Sequence, residues 1–303
     1  MAVSKDYYDG WVLANGIRTH YSWAGTEGPA IILIHGGGPG ASGASGWRFM
    51  LPALAEAGFR AFAPDQLSMG WTDARPHAWP ILGHQSLVDH IADFVDALCL
   101  EEVGVVGNSQ GAYVSAKYAL DNPEKVSGVF FIGSGTICSA VGIAQAPNRA
   151  MQSLRDYDYT PEGMRKFLEA IIHNPANVTN ELVQSRHEAA TRPGIREARA
   201  AFESYRTAME REPKLKMRFS LEHSMPRFPV PAQFIWGKDD KFAPVTMGYE
   251  LEKLLPNIPF QYIDDCGHQC QNDQPDIVNE LVIKFFKNHA PRVDSGISTQ
   301  ITK

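Results

Sequence analysis

The sequence predicts an α/β fold: a mostly parallel central sheet with helices on both faces and a block of helices inserted between two of its strands. Three observations predict it. Short β-branched or aromatic runs alternate with longer helical patterns along most of the chain. The runs in the middle of the chain are apolar without a break, as strands buried on both faces are. One stretch, from about Cys138 to about Arg227, carries helical patterns and no strand pattern.

The expected strands are Ile17–Trp23, Ala30–His35, Arg60–Pro64, Val103–Asn108, Val126–Ile132, Ala232–Trp236 and Phe260–Ile263. Each is too short to be a helix of ordinary length. Between them lie the helical patterns Trp47–Ala57, His84–Leu98, Gln110–Leu120, Thr246–Leu255 and Asp276–Asn288. Strand and helix in alternation imply crossover connections, and hence parallel pairing. In the strandless stretch the patterns are Pro161–His173, Asn180–Arg192 and Gly194–Glu212, punctuated by Pro147, Pro175, Pro193 and Pro213. A helix tolerates Pro only in its first turn, so these residues mark boundaries. Ligands of open α/β sheets bind outside the carboxyl ends of the strands. The block therefore reads as a lid over that edge, with extra packing on one face as the alternative. The expected organisation is a core at 1–137 and 228–291, a helical lid at 138–227, and a polar, disordered tail at 292–303.

Composition limits the function. The chain has 303 residues, 44% of them hydrophobic and 20% charged, with a net charge of −6. No basic tract suits nucleic acid or an anionic membrane surface. No apolar run is long enough to span a bilayer, and MAVSKDYYDGW lacks the apolar core of a signal peptide. A cytoplasmic protein is expected. The four cysteines, at 99, 138, 266 and 270, read as reduced thiols. Cys266 and Cys270 lack the second ligand pair of a zinc site, and neither a metal nor a cofactor is expected.

The chemistry concentrates in GVVGNSQGAY. Gly107-Asn108-Ser109-Gln110-Gly111 fits G-x-S-x-G between an apolar strand and an amphipathic helix, the context that motif requires. A sharp strand-to-helix turn holds the serine in a strained conformation and needs small residues two positions away on each side. It leaves the Gln110 N–H at a helix start, where donors point outward. A serine hydroxyl needs a base, and the base an orienting acid. Downstream, His268 follows the strand Phe260–Ile263, and Asp239 or Asp240 follows Ala232–Trp236. After Ala30–His35 comes a loop, Gly36-Gly37-Gly38-Pro39-Gly40. Its Gly37 or Gly38 N–H would complete an oxyanion hole with Gln110. The same loop admits a dinucleotide reading through Gly38-x-Gly40-x-x-Gly43, with Asp65 on the ribose. The Gly-rich stretch to Gly46, which delays the helix, and the distant Asp65 count against it.

HGGGPGAS, DQLSMGWTD, GNSQGAY, WGKDDKFAP and CGHQCQ resemble, in this order, the motifs of α/β-hydrolases. Within that superfamily they are most similar to the meta-cleavage product hydrolases, which split a carbon–carbon bond in the ring-opened products of catechol dioxygenases. The similarity runs over nearly the whole chain and is weakest in the lid, which the resemblance inserts after strand 6 of the α/β-hydrolase fold. It implies Ser109 as nucleophile, His268 as base, Asp240 as orienting acid, and the N–H groups of Gly37 and Gln110, with Gly38 beside them, as the oxyanion hole. Glu181–Ala189, ELVQSRHEA, matches the family's ELLQGRWEA, which makes Arg186 the ligand of a substrate carboxylate. Asn108 and Gln269 complete the expected substrate site, Asn108 by hydrogen bonding that supports it. A small-molecule substrate and a homodimer or larger assembly are implied too. Three departures fall in the pocket: Ala44-Ser45-Gly46 stands for the family's W-S-N, Gln269 for a Trp, and GNSQGA for GNSMGG. The expected reaction is hydrolysis of a 2-hydroxy-6-oxo-hexa-2,4-dienoate. A carboxylesterase or lactonase is the alternative, and a non-catalytic ligand receptor a further one.

Overall fold

The computed structural model describes residues 6–293. All but the first two residues of the expected tail lie outside them. Strands β1 (Tyr8–Ala14) and β2 (Ile17–Ala24) pair as an antiparallel hairpin with Ala14 opposite Ile17. The connecting Asn15 and Gly16 have φ of 46° and 84°, the positive pair that a two-residue hairpin turn requires. Sequence reading starts the sheet at Ile17 and misses β1. That strand lies at the sheet's edge with Trp11 and Leu13 exposed, so it lacks the burial pattern that marks the others. Asn-Gly was the available signal.

The chain continues through β3 (Ala30–Ile34), α1 (Gly43–Trp47), α2 (Met50–Glu56), β4 (Arg60–Pro64), α3 (His84–Ala97), β5 (Val103–Asn108), α4 (Gln110–Asp121) and β6 (Val126–Ile132). The expected helix Trp47–Ala57 is two helices. Ser42 caps the first in a reciprocal pair with Ser45, so it starts at Gly43, inside the Gly-rich stretch. Pro52 requires a first-turn position, and the chain restarts at Met50 to give it one. After β6 come six helices: α5 (Gly135–Ala140), α6 (Arg149–Arg155), α7 (Pro161–Ile171), α8 (Asn180–Thr191), α9 (Ile195–Arg211) and α10 (Pro213–Phe219). Among the described residues no strand forms there. The core resumes with β7 (Ala232–Gly237), α11 (Val245–Leu254), β8 (Phe260–Ile263), α12 (Cys270–Asp273) and α13 (Pro275–Asn288).

The eight strands lie in the order β1-β2-β4-β3-β5-β6-β7-β8, antiparallel at β1, β2 and β4 and parallel from β4 through β3 to β8. Alternate residues of the central strands enter opposite apolar layers. Ile32, Ile34, Val105, Phe131 and Phe234 pack with α3, α4 and α11. Ile31, Leu33, Val106, Phe130 and Ile235 pack with α2 and α13. Each large side chain so buried stabilises the fold by about 1.5–3 kcal/mol before entropy is counted. The inserted helices keep a third, separate cluster: Met164, Phe167, Leu168 and Ile171, on one face of α7, meet Leu182, Val183 and Ala190 of α8. The strand order reverses at β3, with β4 on one side and β5 on the other. The crevice at the carboxyl ends of β3 and β5 is thus the switch point of the sheet.

All four cysteines are free, and Cys266 and Cys270 are buried in the second apolar layer. Hydrogen bonding with Cys266 and burial push the Cys270 thiol up, which keeps it protonated. Among the described residues no helix is long and apolar enough to cross a membrane.

Candidate active site

Ser109 stands at the end of β5, between the strand and α4, with φ 58° and ψ −118°. A non-glycine residue there stores on the order of 1–3 kcal/mol of strain. The turn is held by Ser109 N–H donating to the carbonyls of Ile132 and Gly133, at 3.0 and 3.1 Å, and by Ser134 Oγ donating to Ser109 O at 2.7 Å. The flanking glycines are required by contact. A Cβ on Gly111 would lie 2.1 Å from Ile34 O, and one on Gly107 2.4 Å from Gly111 O.

His268 Nε2 lies 2.8 Å from Ser109 Oγ, and His268 Nδ1 lies 2.7 Å from Asp240 Oδ2. A carboxylate only accepts, so Nδ1 carries the proton and Nε2 is left to accept from the serine hydroxyl. The other carboxylate oxygen, Oδ1, accepts from the N–H groups of Phe242 and Ala243 at 2.8 Å each. Asp239 is exposed, and among the described residues only its backbone makes a hydrogen bond, donating to Cys266 O. Of the pair, Asp240, the one the resemblance implies, is the partner of His268. Further supports for His268 escaped the sequence. Its N–H donates to Ile171 O at the end of α7, and the Phe242 ring packs 4.8 Å from its own. Asp273 accepts from the N–H groups of Gly267, His173 and Asn174, tying the histidine loop to the inserted helices. No spacing in the sequence relates Asp273 to residues a hundred positions away.

The loop after β3 runs against Ser109; a Cβ on Gly36 would lie 3.3 Å from Ser109 Cβ. It is braced by His35. Gln66 N–H donates to His35 Nε2 at 3.0 Å, so the proton sits on Nδ1 and is donated to Gly36 O at 2.8 Å. Burial lowers the pKa of this imidazole, which keeps it neutral. Gly37 and Gly38 face the same cavity as Gln110, whose N–H opens α4. Asp65, the candidate ribose ligand, is fully buried and accepts from Gly43 N, Trp71 N and His20 Nδ1 at 2.6 to 2.8 Å. It is a structural hub with no face toward a nucleotide.

A cavity of about 690 Å³ lies above Ser109, walled by the β3 and β5 loops below and by α6 to α9 above. Arg186 of α8 enters it. The residue is only 1% exposed, and its guanidinium donates through Nε and Nη2 to Pro39 O at 3.0 and 2.7 Å and lies 5.8 Å from the centre of the Phe167 ring. Burial and the nearby Arg48 lower its pKa to about 10, so it is still a cation at neutral pH. Among the described residues no carboxylate pairs with it. Asn108 donates to the carbonyls of Ile132 and His268 at 3.1 and 3.0 Å. Both its donors are thus committed to bracing the site and none is left for a substrate. Gln269 borders the cavity, with its Oε1 accepting from Asn272. His173, Asp239 and Asp265 bring one ligand atom each within 4.8 Å of one another at the surface. Neither Cys266 nor Cys270 belongs to that group.

A family model for the alpha/beta hydrolase fold matches residues 29–275. The chain belongs to the α/β-hydrolase fold family. It is 30% identical over 263 residues to the 2-hydroxy-6-oxo-2,4-heptadienoate hydrolase of Pseudomonas putida, covering 87% of this chain and 90% of that protein. It is 28% identical to the 2-hydroxy-6-oxononadienedioate/2-hydroxy-6-oxononatrienedioate hydrolase of Burkholderia vietnamiensis, covering 89% and 91%. Among solved structures, the meta-cleavage product hydrolase of Pseudomonas fluorescens superposes with a TM-score of 0.76 at 30% identity, covering 92% of this chain and 97% of that one. These three relatives of this α/β-hydrolase are named as hydrolases of 2-hydroxy-6-oxo-dienoates or of meta-cleavage products, and the resemblance read from the motifs holds along the chain.

Proposed function

We propose that this α/β-hydrolase cleaves a carbon–carbon bond in a ring-opened aromatic degradation product of the 2-hydroxy-6-oxo-hexa-2,4-dienoate type. The observation that carries the reading is Arg186. A buried cation without an acidic partner is costly to keep, and an incoming carboxylate relieves that cost by bidentate pairing. It faces the same cavity as Ser109, His268 and Asp240. In this reading the inserted segment, residues 138–227, is a lid that carries the carboxylate site to the sheet edge.

The proposed steps are as follows. Arg186 holds C1 of the substrate. The dienol shifts to its keto form, its hydroxyl proton moving to C5. Ser109 attacks the C6 ketone while His268 takes the serine proton, and Asp240 holds the imidazolium in place. The N–H groups of Gln110 and Gly37, or Gly38 in its stead, receive the oxyanion; losing one such donor typically costs about 3 kcal/mol. The C5–C6 bond breaks, and its electron pair passes through C4 and C3 to the C2 oxygen. The resulting dienolate takes the proton from His268. Water, deprotonated by His268, then releases the acyl group as a carboxylic acid, and the proton returns to Ser109. A cytoplasmic location, read from the sparse cysteines, and a homo-oligomeric state, by family resemblance, belong to the same proposal.

The test mixes the protein with a ring-opened dioxygenase product and follows the dienolate absorbance, with Ser109→Ala alongside. Bleaching that disappears in the variant is the expected result. No bleaching, from protein that turns over aryl esters through Ser109, overturns the reading and leaves an esterase or lactonase.

A further inference from the structure

At the head of α4 the Gln110 side chain turns toward His84, the first residue of α3, and its Nε2 lies 3.4 Å from His84 Nε2. The amide also rests on the oxyanion loop, since a Cβ on Gly37 would fall 2.3 Å from Gln110 Oε1. Gln110 is 9% exposed, and its buried Oε1 has no partner among the described residues. His84 is walled by the rings of Tyr113, Phe202 and Phe219, with centroids 4.9 to 5.0 Å from its own. This enclosure, helped by Arg206, lowers its pKa to about 3, so the ring is neutral and offers one N–H and one lone pair. Gln110, His84, Phe202 and Phe219 all border the cavity above Ser109.

An amide and a neutral imidazole at this spacing exchange one hydrogen bond. Either the amide N–H₂ donates to the ring or the ring N–H donates to the amide oxygen. In both arrangements the other end of the amide stays unpaired, at a cost of about 1–3 kcal/mol when water is excluded. A hydroxyl donates and accepts, so it satisfies that end whichever way the amide sits. A plain alkyl or phenyl group cannot. The carboxylate of the dienoate is assigned to Arg186, against Gly38 and Pro39, which leaves the acyl substituent on C6 as the part of the substrate for the end of the cavity at His84.

We propose that Gln110 and His84 form a specificity subsite for an acyl substituent that carries a hydroxyl group, with Phe202 and Phe219 as its apolar walls. The inference rests on the function proposed above. Its test compares 2-hydroxy-6-oxo-6-phenylhexa-2,4-dienoate with the counterparts bearing a hydroxyl at the 2, 3 or 4 position of the ring. At least one hydroxylated compound is expected to exceed the phenyl compound in kcat/KM by about tenfold or more. That ratio is expected to fall toward one in Gln110→Leu and in His84→Phe. The ratio separates recognition from general damage, because disturbing the oxyanion hole lowers both substrates together. A parent protein that turns over all of them and prefers phenyl to every hydroxylated form overturns the subsite alone, as does a ratio unmoved in both variants. A parent protein that cleaves none overturns the proposed function and the subsite with it.

Discussion

The sheet edge and the inserted helices meet at one cavity but are built differently. Ser109, Asp240 and His268 stand in the loops after β5, β7 and β8, held by the carbonyls of Ile132 and Gly133, by the N–H groups of Phe242 and Ala243, and by Ile171 O at the end of α7. Arg186 and Phe167 belong to helices with an apolar cluster of their own. Polar ties link those helices to the edge: Asp273 with the N–H groups of His173 and Asn174, Arg186 with Pro39 O, and Arg192 with Gly70 O and Thr72 O. Under the proposed function, the chemistry belongs to the strand ends and the recognition of the carboxylate to the attached layer.

The largest effect that sharpens this contrast is at Asp240. Asp240→Asn should lower kcat by about 10⁴ with thermal unfolding little changed, because the tautomer and orientation of His268 are lost and packing is kept. Asp239→Asn should leave kcat near the parental value. Equal losses in steady-state assays would mean that the two carboxylates share the role. A smaller effect is expected in the inserted layer. Thr179 caps α8 by accepting from Leu182 N–H at 3.2 Å, and Thr179→Ala should cost about 1 kcal/mol. The cost should be local, as faster amide exchange in α8 and a higher KM for the dienoate, with aryl-ester turnover unchanged. Faster exchange in β5 or α4 as well would break the separation between the two regions.

The same contrast explains what the sequence revealed. The turn at Ser109 is compact: the glycines it demands by backbone contact lie within two residues of the serine, so a short motif carries it. Buried strands such as Ile31–Ile34 announce themselves by unbroken apolar character. Position 186 was readable only through a family resemblance, because nothing within α8 distinguishes Arg186 from a solvated arginine. What buries it is Phe167 on α7 and Pro39 on a loop 147 residues away. Asp240 too was chosen over its neighbour through the resemblance, because only the direction of the loop sends one carboxylate to His268 and the other to solvent. The pairing of Gln110 with His84 joins residues 26 apart on two different helices, and the break in the expected helix Trp47–Ala57 hinges on the cap at Ser42.

The most direct measurement is kcat/KM for a dienoate and for its methyl ester at C1, in the parent protein and in Arg186→Leu. The parent should prefer the free acid. The variant should lose about 10²–10³ on the acid and little on the methyl ester, because only the acid forms the buried ion pair. Equal losses on both substrates, or none on either, would contradict a carboxylate site at Arg186 and with it the division of labour between sheet edge and inserted helices.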